Sequence, residues 1–251
     1  MKNKFVNTSN MARFMNAVTD LQNRGAGEAC FMVVDGHPGL SKTTICHWWA
    51  IQNNAVFLRA KAEWTPRWMV RELLESLNVK PRHSFQDCFR QAVDALMARS
   101  NQAHIQGKTF AVIIDEIDHI SRSEKCLETL RDFSDLLEIP FIFVGMQKVR
   151  HNISRFPQIS SRIGQYVEFF PASRDDVYSL VKELCEVEVS DDLIEFLLEV
   201  SRGRIREVKE AIMAIERFGK RNDGVVTRKA MAGETLLNSR DNGQPIKVRA
   251  D

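Results

Sequence analysis

The chain has 251 residues, 44% of them hydrophobic and 27% charged, with a formal net charge of +2. That composition suits one large or two small globular domains with a full core, and it excludes a disordered or collagen-like chain. No apolar run approaches the ~20 residues of a transmembrane helix, and Met1-Lys2-Asn3-Lys4 opens no signal-peptide core.

A cytoplasmic protein without membrane association is therefore expected, in a bacterial host if the functional reading below holds. Cys30, Cys46, Cys88, Cys126 and Cys185 form no C-x-x-C pair and read as reduced core thiols. Charge is uneven: residues 201–251 carry 12 Lys/Arg against 7 Asp/Glu, and the remainder 23 against 26. A basic C-terminal region is compatible with nucleic acid, although solvated helix faces give the same bias.

In chain order, Met11, Phe14, Met15, Val18 and Leu21 mark a helix from near Thr8-Ser9-Asn10 to Gly25-Ala26-Gly27. Cys30–Val34 reads as a buried strand, and a helix from Thr43 to about Gln52 follows a glycine-containing loop. Residues 55–60 form a second strand, and helices are expected over 66–77 and 84–100. Residues 109–116 are an apolar strand ending in two carboxylates, the pattern of a central strand in a parallel sheet. A helix over 123–137, a strand over 140–145 and a strand over 166–170 complete an α/β domain, residues 1–170. From Ser173 only helical patterns remain, over 173–185, 190–201 and 205–218. We expect a small helical lid domain over 171–237 and a loose, flexible tail over 238–251.

The loop between the first strand and its helix carries the strongest chemical signal. Gly36, Gly39, Lys42 and Thr43 fit G-x-x-x-x-G-K-[ST], with Ser41 where the second glycine is expected. Serine is small and tolerates turns. In this setting the backbone of Gly36, His37, Pro38, Gly39, Leu40, Ser41, Lys42, Thr43 and Thr44 can cradle phosphates at a helix N-terminus. Lys42 would bridge the β- and γ-phosphates of ATP, and the Thr43 hydroxyl would ligate Mg²⁺. Asp115, expected at the end of the strand beside the P-loop strand, would hold Mg²⁺ through water. Glu116 would orient the attacking water. Asp118 reads as a helix-approach or loop residue.

These motifs resemble the AAA+ ATPases, an α/β P-loop fold with a parallel five-stranded sheet and a C-terminal helical lid. Within that family the chain resembles the transposition target-selection ATPases of transposable phages. The similarity runs over about residues 5–220 and is carried by residues 35–44, 112–118, 130–135, 139–146, 160–163 and 201–208. It implies an arginine finger at Arg162, reaching a neighbouring subunit's γ-phosphate, with Arg150 and Arg155 as other candidates. It implies a second sensor at Arg206, for which an exposed helix arginine is the plain alternative. Gln147 offers itself as the first sensor, and Asn7 and Thr8 fall near the adenine edge. One member of that group has an additional N-terminal DNA-binding domain, and from the short leader none is expected here.

For DNA, Arg59, Lys61, Trp64, Arg67 and Arg71 form a basic stretch with an aromatic inside it, and Arg122, Ser123 and Lys125 follow the carboxylate pair. Such loops would neutralise duplex phosphates along a channel. Trp64 and Trp68 equally fit a helix-packing pair. The resulting expectation is an ATPase that binds double-stranded DNA without sequence preference. It would form a homo-oligomeric ring or helical filament on the DNA, select target sites and activate a transposase or integrase. Two alternatives stay open: a helicase-loader or replication-initiator ATPase, and a nucleotide-regulated scaffold without turnover.

Overall fold

The computed structural model describes residues 1–222, 224–240 and 242–250. The chain divides into two compact units, one comprising residues 13–38 and 42–169, the other residues 1–12, 39–41 and 170–251.

The first unit is a parallel α/β sheet. Its strands are β1 (Phe31–Gly36), β2 (Val56–Arg59), β3 (Val112–Asp115), β4 (Phe141–Val144) and β5 (Ile163–Phe169), in spatial order β2-β3-β4-β1-β5. All four ladders are parallel. Every residue of β1, β3 and β4 is buried, because helices cover both faces of the central strands. The edge strands β2 and β5 alternate buried with less buried positions instead.

The helices of this unit are α1 (Ser9–Gln22, which it shares with the other unit), α2 (Lys42–Asn53), α3 (Pro66–Ser76), α4 (Phe85–Ile105), α5 (Glu124–Leu137), α6 (Lys148–Ile153) and α7 (Pro157–Ser160). Their starts are chemically marked. The Thr65 side chain accepts from Trp68 N–H ahead of Pro66, and the Ser84 hydroxyl accepts from Asp87 N–H. α4 runs past Ser100 to Ile105, because no residue able to stop it occurs before Gly107, which takes φ +66°. Phe31, Phe133, Phe141 and Phe143 anchor the core.

In the second unit α8 (Arg174–Leu184), α9 (Asp191–Ser201) and α10 (Ile205–Gly219) pack around Val177, Leu193, Leu197, Val208 and Ile212. α8 opens on a capping box between Ser173 and Asp176. Strand structure closes the expected lid and reaches into the stretch expected to be a loose tail, at Asn238 and over Pro245–Lys247. β6 (Thr235–Asn238) and β7 (Pro245–Lys247) form an antiparallel hairpin that sends Leu236, Leu237 and Val248 into the core of this unit. Burying those three side chains outweighs the polar character of the rest. Asp241 and Asp251 of that stretch lie outside the described residues. The N-terminal residues also join this unit: Ser9 N–H and Oγ donate to the Asp176 carboxylate at 2.8 and 2.6 Å.

Among the described residues no helix is long and apolar enough to cross a membrane. All five cysteines are buried and unpaired.

Candidate functional site

The carboxyl ends of β1 and β3 set the site. β3 is not beside β1, contrary to the sequence expectation: β4 lies between them, pairing with both. Two strand spacings separate β1 from β3, about 10 Å. The gap is closed by the first turn of α2, where the Thr43 hydroxyl donates to Asp115 Oδ2 at 2.9 Å. Lys42 Nζ donates to the carbonyls of Gly36 and His37 at 2.8 Å each, so the lysine is held under its own loop.

Backbone conformation explains the residue types in this loop. Gly36 takes φ +137° and Gly39 φ +84°. Ser41 takes φ +66°, a left-handed conformation that glycine adopts without strain and serine adopts at a cost of about 1 kcal/mol. Glu116 also stands at φ +55°, at the head of a short 3₁₀ turn over Ile117–His119. That bend directs a strand-end carboxylate outward: Asp115 is 2% exposed, while the Glu116 side chain is 48% exposed. Arg59, paired across the sheet with Asp115, lies 3.8 Å from both carboxylates.

Burial dominates the electrostatics. It raises Asp115 above the ordinary carboxylate value, against the Thr43 hydrogen bond. It lowers Lys42 below the ordinary lysine value, against the pull of Asp115, Asp118 and Asp35. Two hard oxygen donors, Thr43 Oγ1 and Asp115 Oδ2, together beside a lysine make a donor set that fits Mg²⁺ with a phosphate chain.

Behind the loop, buried Asp35 is clamped by Arg150 of α6, whose Nε and Nη2 lie 2.7 and 2.9 Å from the two carboxylate oxygens. Arg150 also lies over the Tyr166 ring at 5.1 Å. The Arg150 guanidinium, a finger candidate by resemblance, is thus engaged within its own unit. Burial raises Asp35, and Arg150 offsets part of that rise. Asp118 is more than a loop residue. Its Oδ2 accepts Met146 N–H at 2.9 Å, and a Cβ on Gly145 would come within 2.5 Å of it. It thereby pins the end of β4. Gln147 reaches the loop, with its Nε2 3.0 Å from His37 Nε2.

Arg162 lies at the opposite end of the sheet. Its carbonyl accepts Phe31 N–H at the first residue of β1. Five strand steps separate that point from Gly36, about 17 Å. Its guanidinium forms a bidentate pair with Asp135, Nε to Oδ1 at 2.6 Å and Nη2 to Oδ2 at 2.9 Å. That pairing raises its already high pKa. Arg155 is exposed beyond α6. In the other unit, Arg206 is exposed in the first turn of α10 and its N–H donates to Gly39 O at 3.3 Å. Leu40 and Thr8 are buried there, whereas Asn7 is exposed.

Lys61 and Arg122 are exposed on the loops after β2 and β3, and Arg67 and Lys125 are exposed in the first turns of α3 and α5, which follow those loops. These loops are neighbours, since β2 pairs with β3 and Cys126 Sγ donates to Trp64 O at 3.5 Å. Lys61 pairs with Glu72 and sits over the Trp68 ring at 5.2 Å, while Arg67 donates to His83 O at 2.8 Å. Trp64 is a correction: it is 5% exposed, in the core, and offers no face to DNA. Nor is it a helix-packing partner of Trp68, because it precedes α3, whereas Trp68 is 40% exposed on that helix.

A parallel sheet in this order, with a lysine-bearing loop after β1 and paired carboxylates after β3, defines a P-loop nucleotide-binding domain of the AAA+ type. Residues 25–153, just over half of the chain, match the family model described as "AAA domain", and the chain belongs to that family. A "Potential ATP-binding protein" of Staphylococcus aureus is 29% identical over 116 residues, 43% of this chain and 42% of that protein. The solved structure of Cdc6p from Pyrobaculum aerophilum is similar at TM-score 0.60 and 16% identity, over 88% of this chain and 65% of that one. ORC1 of Aeropyrum pernix, solved in complex with DNA, is similar at TM-score 0.58 and 12% identity, over 86% and 60%. At such identities the structural likeness is one of fold. The chain spans less than half of the curated relative and less than two thirds of either structure.

Proposed function

We propose that this chain is an ATPase that assembles on double-stranded DNA when ATP is bound and binds it without regard to sequence. The observation that carries the proposal is the meeting of Thr43 and Asp115 across β4 with Lys42 and Glu116 beside them. Lys42 would leave its two loop carbonyls for the β- and γ-phosphates. Thr43 and Asp115 would hold Mg²⁺, which when bound offsets phosphate charge. Glu116, exposed and aimed out of the strand, would orient the attacking water.

Arg162 supports an oligomer. Its distance from Gly36 places it out of reach of its own loop, so a role in hydrolysis requires a neighbouring subunit. Release from Asp135 would accompany that contact. Arg206 would act as the sensor of the helical unit. Lys61, Arg67, Arg122 and Lys125 supply the phosphate contacts, and a protein of the same fold has been solved with DNA.

Two purposes suit such a machine. Resemblance of the motif residues favours selecting target DNA and activating a transposase. Likeness of fold to ORC1 and Cdc6p favours a replication-initiator or loader role equally. Capture of an integrase-fold recombinase, as against a replicative helicase, separates them. Phosphate release with and without duplex DNA tests turnover itself. We expect DNA to stimulate release, Lys42→Ala to abolish it, and Glu116→Gln to stop it while nucleotide still binds. A Glu116→Gln protein that hydrolyses at the wild-type rate removes Glu116 from its role. Absence of release from the wild type under all conditions leaves a scaffold without turnover.

A further inference from the structure

Within the helical unit, α10 and β6 enclose an open groove of about 740 Å³. One stripe of α10 forms a wall, since Glu210, Met213, Ala214, Arg217 and Phe218 recur at three- and four-residue spacing, and Arg221 follows just past the end of the helix. All four residues of β6 form the other wall, and among the described residues β6 has one strand neighbour, β7. Met231 and Phe218 give the groove an apolar lining, and Met213 stands 52% exposed over it. An exposed, adaptable methionine such as Met213 is common at surfaces that bind peptides, whereas Met231 is buried at the floor.

We propose that this groove binds an acidic peptide segment with bulky apolar residues, supplied by a partner protein. Charge complementarity selects this occupant. Arg217 and Arg221, four residues apart, are exposed and form no ion pair among the described residues. Three other cations of this unit are engaged: Arg240 with Glu207 and Glu210, Lys220 with Glu186, and Arg228 over the Phe196 ring. Two free guanidinium groups at one end of an apolar trough match carboxylates followed by an aliphatic or aromatic side chain. DNA is a poorer fit. A duplex needs cations spaced along a phosphate path, whereas the groove lining offers two arginines close together, and its Glu210 is already paired with Arg240. An extended segment could also pair with β6, as peptides do at exposed strand edges.

The test selects peptides from a random 12-residue library against the full chain, with counter-selection against an Arg217→Glu/Arg221→Glu variant. Both arginines are exposed, so the variant should keep the wild-type melting temperature. Should it not, Met213→Ala serves as the second counter-target. We expect enriched sequences to combine Asp/Glu with Phe, Leu or Trp. Their affinity should fall at least about tenfold on the double variant, as expected for loss of close charge pairs. In methyl NMR they should shift Met213 and Met231. Enrichment independent of the two arginines, no enrichment, or a duplex DNA that moves the same methyls more strongly would each overturn the proposal.

Discussion

Replacing Gly36 by alanine should be among the most damaging single changes in the P-loop, and its cost can be worked from the geometry. Gly36 closes β1 with φ +137°, a conformation in which L-residues are strained by about 1–3 kcal/mol. An added Cβ would also stand 2.6 Å from Phe169 O and 3.2 Å from Phe169 Cβ. That contact is with backbone, at the last register pair between β1 and β5, so it is relieved only by prising the strands apart. The sum is a loss of at least about 3 kcal/mol, a large share of the 5–15 kcal/mol typical of a folded domain. Gly39 is the internal control. It takes φ +84°, but the nearest atom to an added Cβ is 3.6 Å away, so Gly39→Ala should lose only the left-handed penalty of about 1–2 kcal/mol. Urea unfolding of the two variants, read by tryptophan fluorescence, measures the difference. Equal stability of the two would refute the claim that contact with β5, rather than φ alone, fixes glycine at position 36.

Arg150→Ala should destabilise by about 1–2 kcal/mol, because it leaves the Asp35 carboxylate buried without its clamp; the figure is lowered for the partly exposed arginine. Thermal melts of Arg150→Ala and Arg150→Lys check it, with lysine recovering only part since it cannot bond both oxygens. Asp115 gives a pH dependence. Its pKa is raised in the folded protein, so its contribution to stability is present below the ordinary carboxylate value and lost as pH rises through the raised one. Metal binding runs the other way: Mg²⁺-dependent nucleotide affinity should fall on acidification at a pH above the usual ~3.9. Binding without metal should not follow that curve, and coincident titrations would exclude Asp115. Trp64→Ala should lower stability by about 3 kcal/mol and leave the salt dependence of DNA binding unchanged. Lys61→Ala with Arg67→Ala should do the reverse, weakening unrelated duplexes equally and reducing the log–log salt slope by about 0.9 per lost contact.

Much of this architecture is legible in the sequence because the central strands are covered on both faces. Continuous apolar runs such as residues 110–114 announce themselves, and the Gly36–Thr43 spacing marks the turn between strand and helix. Strand order is not legible in this way. Nothing in the residues of β1 and β3 says that β4 intervenes, because parallel crossovers let any two strands become neighbours. Trp64 misleads for a related reason: an indole among Lys61, Glu63 and Arg67 reads as surface, yet the turn before α3 rotates it inward while its neighbours stay out. The Asp35–Arg150 clamp joins residues far apart in the chain, and its only local sign is a carboxylate at the end of an apolar strand. The C-terminal hairpin hides because two of its buried residues, Leu236 and Leu237, are consecutive and break the alternation of a half-buried strand.

The most direct test of ATP-dependent assembly is electron microscopy of the full chain mixed with duplex DNA and Mg²⁺, comparing a non-hydrolysable ATP analogue with ADP. Regular rings or filaments on DNA are expected with the analogue. They should be absent with ADP, and absent for Lys42→Ala with either nucleotide. DNA decorated equally in all four conditions would contradict the account, because assembly would then owe nothing to the nucleotide that Lys42, Thr43 and Asp115 are positioned to hold.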